Sequence, residues 1–222
     1  MKTLLLLIFF PLSISVKAEQ PVQYSYDEVA SHLFWNVLYA GGGESLYCGL
    51  RFNSPGITVG GEVLSIEHIY PVNRMLKFLK CNSRMQCHDS GNRKFAQMEA
   101  DLHNLYPVLN NLNNAFYDSN YGEIEGEDWR LDGCDFERKH GLVEPREVAR
   151  GNIARAMFYM HQVYGLPIDD DTLLILKSWN KSDPPSAPEN ERNDRIEKIQ
   201  GHRNPYIDNP SLVENLAGEQ TE

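Results

Sequence analysis

Four cysteines placed beyond an apolar leader constrain the fold of this chain more than any other feature. Lys2 precedes the apolar run Leu4-Leu5-Leu6-Leu7-Ile8-Phe9-Phe10, and Val16-Lys17-Ala18 offers small or modest side chains where a signal peptidase inspects the chain. The pattern predicts a secretory signal over residues 1–18, with the mature chain starting near Glu19. Its apolar run is shorter than the roughly 20 residues a bilayer span takes, and no later segment reads as a span. Cys48, Cys81, Cys87 and Cys134 all follow this signal. In an oxidising compartment they predict two disulfides, for which three connectivities are open. Cys81 and Cys87, separated by Asn82 to Gln86, can close a small loop, which leaves Cys48 to Cys134 by elimination. His88 beside Cys87 raises zinc as a rival, but the spacing matches no standard finger or ribbon.

Periodicity predicts an α+β fold, mainly helical, in a single domain over residues 19–208 with a flexible acidic tail over 209–222. Ser25-Tyr26-Asp27-Glu28 has the pattern of a capping box opening a helix through Ala30, Leu33, Phe34, Val37 and Leu38 to Gly41-Gly42-Gly43. Residues 57–70 alternate and are β-branched around Gly60-Gly61, predicting a hairpin, the one β region, with Glu67 and His68 near the end of its second strand. Alternation then forbids both from facing one ion unless a bulge or strand end intervenes. Pro107 fits the first turn of a helix with Val108, Leu109, Leu112 and Phe116 as its apolar stripe and Asn110, Asn113 and Asn114 opposite. Further helices are predicted over 146–164, 171–179 and 190–200, with residues 182–188 as a proline-punctuated loop.

Charge opposes a simple nucleic-acid reading. The chain is formally -10. Without the signal, which carries Lys2 and Lys17 and no acid, 19 basic residues face 31 acidic ones, or -12. A local exception lies over residues 73–98, where Arg74, Lys77, Lys80, Arg84, Arg93 and Lys94 face Asp89 alone, an excess of +5. Such a stretch is either a solvated loop or a track for a phosphate backbone.

The chemistry sits on either side of that stretch. Ser65-Ile66-Glu67-His68-Ile69-Tyr70-Pro71 precedes it, and Glu99-Ala100-Asp101-Leu102-His103-Asn104-Leu105-Tyr106-Pro107 follows it. A carboxylate beside a histidine, followed by an asparagine-rich segment, suits metal-assisted phosphodiester hydrolysis. His68 reads as the general base, because imidazole accepts a proton near neutral pH. Glu67 and the side-chain carbonyl of Asn113 are oxygen ligands of the kind Mg²⁺ takes, and Glu99 is a third carboxylate. Arg84, three residues before Cys87 in the basic stretch, reads as a phosphate contact whose guanidinium a disulfide loop would hold rigidly. His103 and Asn104 read as structural, fixing the turn before Pro107, and His32, His140, His161 and His202 carry no assignment.

These motifs together resemble the endonuclease I family of bacterial periplasmic and secreted nucleases. The likeness extends to Leu46-Tyr47-Cys48-Gly49, to Arg150-Gly151-Asn152-Ile153-Ala154-Arg155-Ala156, to Trp179-Asn180-Lys181, to Asn193-Asp194-Arg195-Ile196 and to Gln200-Gly201-His202-Arg203-Asn204-Pro205-Tyr206. It implies a ββα-metal core, a short hairpin plus helix, wrapped by further helices. It also implies His68 as base, Glu67 and Asn113 as metal ligands, Arg84 on the phosphate and Glu99 in support. Two departures stand out. Many relatives carry Gly-Asp-Arg after the asparagine, where this chain has Asn114-Ala115-Phe116, and Leu50 and Asn190 stand where relatives often have cysteines.

The resulting expectation is a monomeric, sequence-nonspecific endonuclease, periplasmic or secreted. It cuts DNA, with RNA as a second substrate, using one Mg²⁺ or Mn²⁺ and leaving 5′-phosphate ends. Arg74, Lys77, Lys80, Arg93 and Lys94 would contact the backbone, whose phosphates carry no base sequence. The alternatives are a catalytically silent nucleic-acid-binding protein of the same fold and a metal-dependent phosphoesterase on small substrates.

Overall fold

A computed structural model describes residues 24–53, 55–113, 119–126 and 133–217. The expected signal, residues 114–118 and the last five residues of the expected tail lie outside these segments.

The capping box forms as predicted. The Glu28 N–H donates to Ser25 Oγ at 3.2 Å, and the Ser25 N–H donates back to the Glu28 carboxylate at 2.8 Å. It opens α1 (Tyr26–Glu28), which continues as a π-helical stretch, Val29–Leu38. The wider winding rotates the buried face to Val29, Phe34 and Leu38, so that Val37, expected inward, is exposed. A two-stranded ribbon follows, β1 (Gly43–Glu44) against β2 (Arg51–Phe52).

The hairpin expected across residues 57–70 is reduced to one bridge, between Ile57 and Val63. β3 (Leu64–His68) runs on from it. After β3 the stretch that could have been a solvated loop is three helices, α2 (Val72–Leu79), α3 (Arg84–Asp89) and α4 (Arg93–Ala100). Ser83 caps α3 by accepting from the Gln86 N–H, and Asn92 caps α4 by accepting from the Phe95 N–H. A 3-10 turn, Leu102–Asn104, then leads into β4 (Leu105–Leu109), which pairs antiparallel with β3 from Leu64↔Leu109 to His68↔Leu105, residue for residue.

Pro107 therefore lies inside a strand, and the helix expected from it begins only at α5 (Asn110–Asn113). All five residues of β4 are buried, which leaves no polar face for an amphipathic helix. The ring nitrogen of Pro107 has no hydrogen to give, and its carbonyl accepts from the Leu46 N–H at 2.8 Å.

A third sheet was not foreseen by the reading of one β region: β5 (Asn120–Tyr121) is parallel to β7 (Leu142–Pro145), which pairs antiparallel with β6 (Phe136–Lys139). Its hairpin closes through His140 at φ 52° and Gly141 at φ 80°, the left-handed pair of a two-residue turn. The fold is thus mixed α+β, mainly helical with small sheets. Both disulfides, Cys48–Cys134 and Cys81–Cys87, are formed, which removes the zinc reading.

The C-terminal half is α6 (Glu147–Tyr164), α7 (Asp170–Ser182), α8 (Ala187–Gln200) and α9 (Pro205–Asp208). α6 is buried along Ile153, Ala154, Ala156, Met157, Phe158 and Met160 and ends at Gly165, with φ 67°. α8 starts earlier than predicted, since Ser186 caps it and Pro188 fits its first turn. Gly151 is obligatory: a Cβ there would lie 1.9 Å from the Asp183 carbonyl, where α6 meets the end of α7. Arg155 of α6 is wholly buried and forks onto Glu189, Nε to Oε1 at 2.7 Å and Nη2 to Oε2 at 2.5 Å. The segment from Asn209, expected as a frayed tail, docks through a 3-10 turn, Pro210–Asn215, that buries Val213.

Candidate active site

A cleft of about 720 Å³ opens between the end of β3 and helices α2 and α3, and Glu67, His68, Tyr26 and Arg84 line it. β3 ends at His68 without a bulge. The strand end thus resolves the alternation problem, with both residues bordering the same cleft.

The His68 imidazole is buried, and its Nε2 lies 2.9 Å from the backbone carbonyl of Glu99. A carbonyl only accepts, so Nε2 carries the hydrogen and Nδ1 keeps its lone pair. Burial lowers the imidazole pKa to about 4 against the pull of that carbonyl, with the Arg84 charge adding to the drop. The ring is a neutral base with one defined free nitrogen.

Glu67 is 6% exposed, and no hydrogen bond or ion pair from a described residue reaches its carboxylate. Burial alone pushes its pKa well above the usual carboxylate range. A buried carboxylate that faces a cleft without a cation is a place where a divalent ion fits, because the ion supplies the missing opposite charge. Among the described residues no three His, Cys, Asp or Glu side chains cluster as a metal cage, so this carboxylate needs donors of other types. An asparagine carbonyl is such a donor. Asn113 ends α5, which follows β4 directly and packs on β3, but its side chain lies outside the described structure.

Glu99 is 1% exposed and is already occupied. Arg84 Nε donates to Oε1 at 2.6 Å, and His88 Nε2 lies 2.8 Å from Oε2. One residue therefore ties three others: its carbonyl orients His68, and its carboxylate anchors Arg84 and His88. His88 was noted in the sequence only for its neighbour Cys87. Its position on α3, one turn beyond Arg84 and crosslinked through Cys87 to Cys81, supplies the contact. No signal in the sequence pointed to Tyr26.

The basic residues divide. Lys77, Lys80, Arg93 and Lys94 are exposed on α2, after it and on α4. Arg74 is part-buried and committed: its Nη2 donates to the Ser119 carbonyl at 3.0 Å and to Asn120 Oδ1. Asn104 behaves as read. Its side chain accepts from the Tyr70 N–H at 2.6 Å and donates to the Tyr70 carbonyl at 3.1 Å, clamping the chain two residues past His68.

A neutral imidazole and an unpaired carboxylate from the end of β3 and an anchored guanidinium from α3 border one cleft, an arrangement chemically suited to hydrolysis of an anionic substrate. A profile of the family Endonuclease I matches residues 14–211, and the chain belongs to that family, which makes it a nuclease. It is 28% identical over 200 residues to an extracellular deoxyribonuclease of Aeromonas hydrophila, covering 78% of this chain and 85% of the relative. A periplasmic deoxyribonuclease of Aeromonas hydrophila is 31% identical over 153 residues, 64% of this chain and 62% of its own length. An extracellular ribonuclease of Bacillus amyloliquefaciens is 30% identical over 134 residues, covering 52% of this chain. The chain spans less than two thirds of the length of these last two, 62% and 46%.

Proposed function

We propose that this chain is an exported, metal-dependent endonuclease that hydrolyses phosphodiester bonds of DNA, and of RNA, without regard to sequence, leaving 5′-phosphate ends. The observation that carries this reading is the His68 Nε2–H held on the Glu99 carbonyl beside the unpaired Glu67 carboxylate. Export is supported by the extracellular and periplasmic relatives and by the leader. No helix among the described residues is long and apolar enough to cross a membrane.

In this reading His68 Nδ1 takes the proton of the attacking water. Nothing else needs to move, because the carbonyl behind Nε2 stabilises the imidazolium that forms. Arg84, fixed at Nε by Glu99, turns its η nitrogens to the phosphate. Glu67 and Asn113 would hold Mg²⁺ or Mn²⁺, whose charge would offset the negative charge that builds on the phosphate and the leaving group. Glu99 acts in support, as the common anchor of base and guanidinium. Lys77, Lys80, Arg93 and Lys94 follow the backbone, and a monomer suffices because every group comes from one chain.

Purified protein incubated with supercoiled plasmid should nick and linearise it with Mg²⁺ and fail in EDTA. His68→Ala should cut at least about a hundredfold more slowly while binding DNA normally, the scale of losing a general base. Wild-type cleavage by a folded His68→Ala protein removes His68 from the mechanism. Binding without cleavage by the wild type favours a silent binder. Hydrolysis of small phosphoesters alone favours a phosphoesterase.

A further inference from the structure

Tyr26 belongs to none of the motifs that carry chemistry in the sequence, yet it lines the catalytic cleft. Its ring lies 5.2 Å from the His68 imidazole, centroid to centroid, at 33°. The Arg84 guanidinium carbon lies 5.1 Å from the centroid of the same ring. One aromatic ring from the start of the chain therefore touches both the base and the phosphate-binding group.

Polar contacts by themselves do not fix the orientation of either group. Among the described residues His68 has one polar tie, Nε2 to the Glu99 carbonyl, which sets the position of that nitrogen but does not by itself fix the ring plane. Arg84 is anchored at Nε by Glu99, with its side chain half exposed and its charge beside the Tyr26 hydroxyl. A flat ring packed against the imidazole and beneath the guanidinium supplies the missing constraint to both, through dispersion in one case and cation–π attraction in the other. Catalysis is sensitive to this kind of error, since displacement of a reacting group by about 1 Å can lower a rate about a hundredfold. The ring itself sits on a rigid support. Tyr26 is the first residue of α1, whose start is sealed by Ser25 and Glu28 without any use of the Tyr26 side chain, and α1 packs against α4, the helix of Glu99.

We propose that Tyr26 is a positioning residue for the nuclease reaction, its ring fixing the plane of His68 and the aim of Arg84. This rests on the reading of His68 as general base and Arg84 as phosphate contact. The ring face meets both His68 and Arg84 whereas of these two the hydroxyl reaches Arg84 alone, so the role is assigned to the ring: phenylalanine should replace it and leucine, which fills space without a flat face, should not.

The experiment measures kcat and KM on a DNA duplex with Mg²⁺, together with Tm, for Tyr26→Ala, Tyr26→Leu, Tyr26→Phe and His68→Ala. Tyr26→Ala and Tyr26→Leu should lower kcat at least about tenfold with KM within about threefold of wild type, and Tyr26→Phe should stay within about twofold in both. Tyr26→Leu keeps apolar bulk in the site, so it decides the matter if the alanine variant does not fold. Wild-type kcat in a folded leucine variant overturns the inference, as does a rise in KM alone, which would make Tyr26 an ordinary DNA contact. A phenylalanine variant as slow as the alanine one also overturns it, by moving the role to the hydroxyl. An active His68→Ala protein sinks the reading beneath; an inactive one beside wild-type Tyr26 variants sinks the positioning role alone.

Discussion

In the proposed mechanism two asparagines divide chemistry from architecture at the scale of single residues. Asn104 is wholly buried and satisfies both backbone groups of Tyr70. Asn104→Ala leaves a buried N–H and a buried carbonyl without that partner, which should cost about 2 kcal/mol of stability. Because the clamp lies two residues past His68, activity should fall no more than the loss of folded protein explains, which a melting curve and an activity assay on the same sample will read. Asn113→Ala should do the reverse, with Tm near wild type and the Mg²⁺ concentration for half-maximal cleavage raised severalfold. If Asn104→Ala abolishes cleavage in a fully folded protein while Asn113→Ala keeps normal Mg²⁺ dependence, the second ligand is misplaced.

The basic stretch gains its meaning at the scale of elements. Folded into α2, α3 and α4, it leaves Lys77, Lys80, Arg93 and Lys94 in solvent and turns Arg74 inward to β5. That division rescues a nucleic-acid reading for a chain of net charge -10, since affinity follows the local phosphate contacts. Replacing Lys77 and Lys80 by serine in a His68→Ala background should reduce the slope of log affinity against log salt by about 1.8, two contacts at about 0.9 each. Arg74→Ala should leave the slope unchanged and lower Tm instead, because it vacates the Ser119 carbonyl. A slope unchanged by the double lysine replacement would move the binding face elsewhere.

At the scale of the whole molecule, the C-terminal helices hold the site from behind. Gln200 of α8 accepts from the Leu102 N–H at 2.6 Å, and Arg192 donates to the carbonyls of Leu102 and Leu105 at 2.6 Å each. Asp101, buried at the same turn, accepts from the hydroxyls of Tyr159 and Tyr164 on α6, both at 2.8 Å. Its neighbour His103 is buried against the Tyr159 ring, and burial lowers its pKa to about 3 although Asp101 pulls the other way. The folded histidine stays neutral where the unfolded one takes a proton. Its contribution is therefore fully present above the ordinary value of 6.5 and is lost as pH falls from there toward about 3. In EDTA, wild-type Tm should drop more steeply between about pH 7 and pH 4 than that of His103→Gln, which has no proton to gain. Equal slopes would show that His103 does not carry the acid sensitivity.

Much of this was legible locally. The capping box at Ser25, the Gly165 and Gly201 stops of α6 and α8, the strand bearing Glu67 and His68, and the small Cys81–Cys87 loop each depend on a few neighbouring residues. A strand does not name its partner, however. β3 joins β4 some forty residues on, and Pro107 became a strand residue because Leu46 and β3 surround it, which periodicity along the chain does not encode. The motifs at Arg155, Asn180, Asn193 and Asn204 likewise proved to be buried hydrogen bonding among α6, α7, α8 and α9 rather than chemistry. By itself the sequence determined the chemical types present, a histidine beside a carboxylate with basic residues between two motifs, because these are written in the side chains. Only the tertiary structure decided which nitrogen of His68 is free, that Glu99 is an anchor, that Arg74 is spent, and that Tyr26 stands against both His68 and Arg84. Those outcomes depend on burial and on contacts between residues far apart in the chain, and neither exists until the chain has folded.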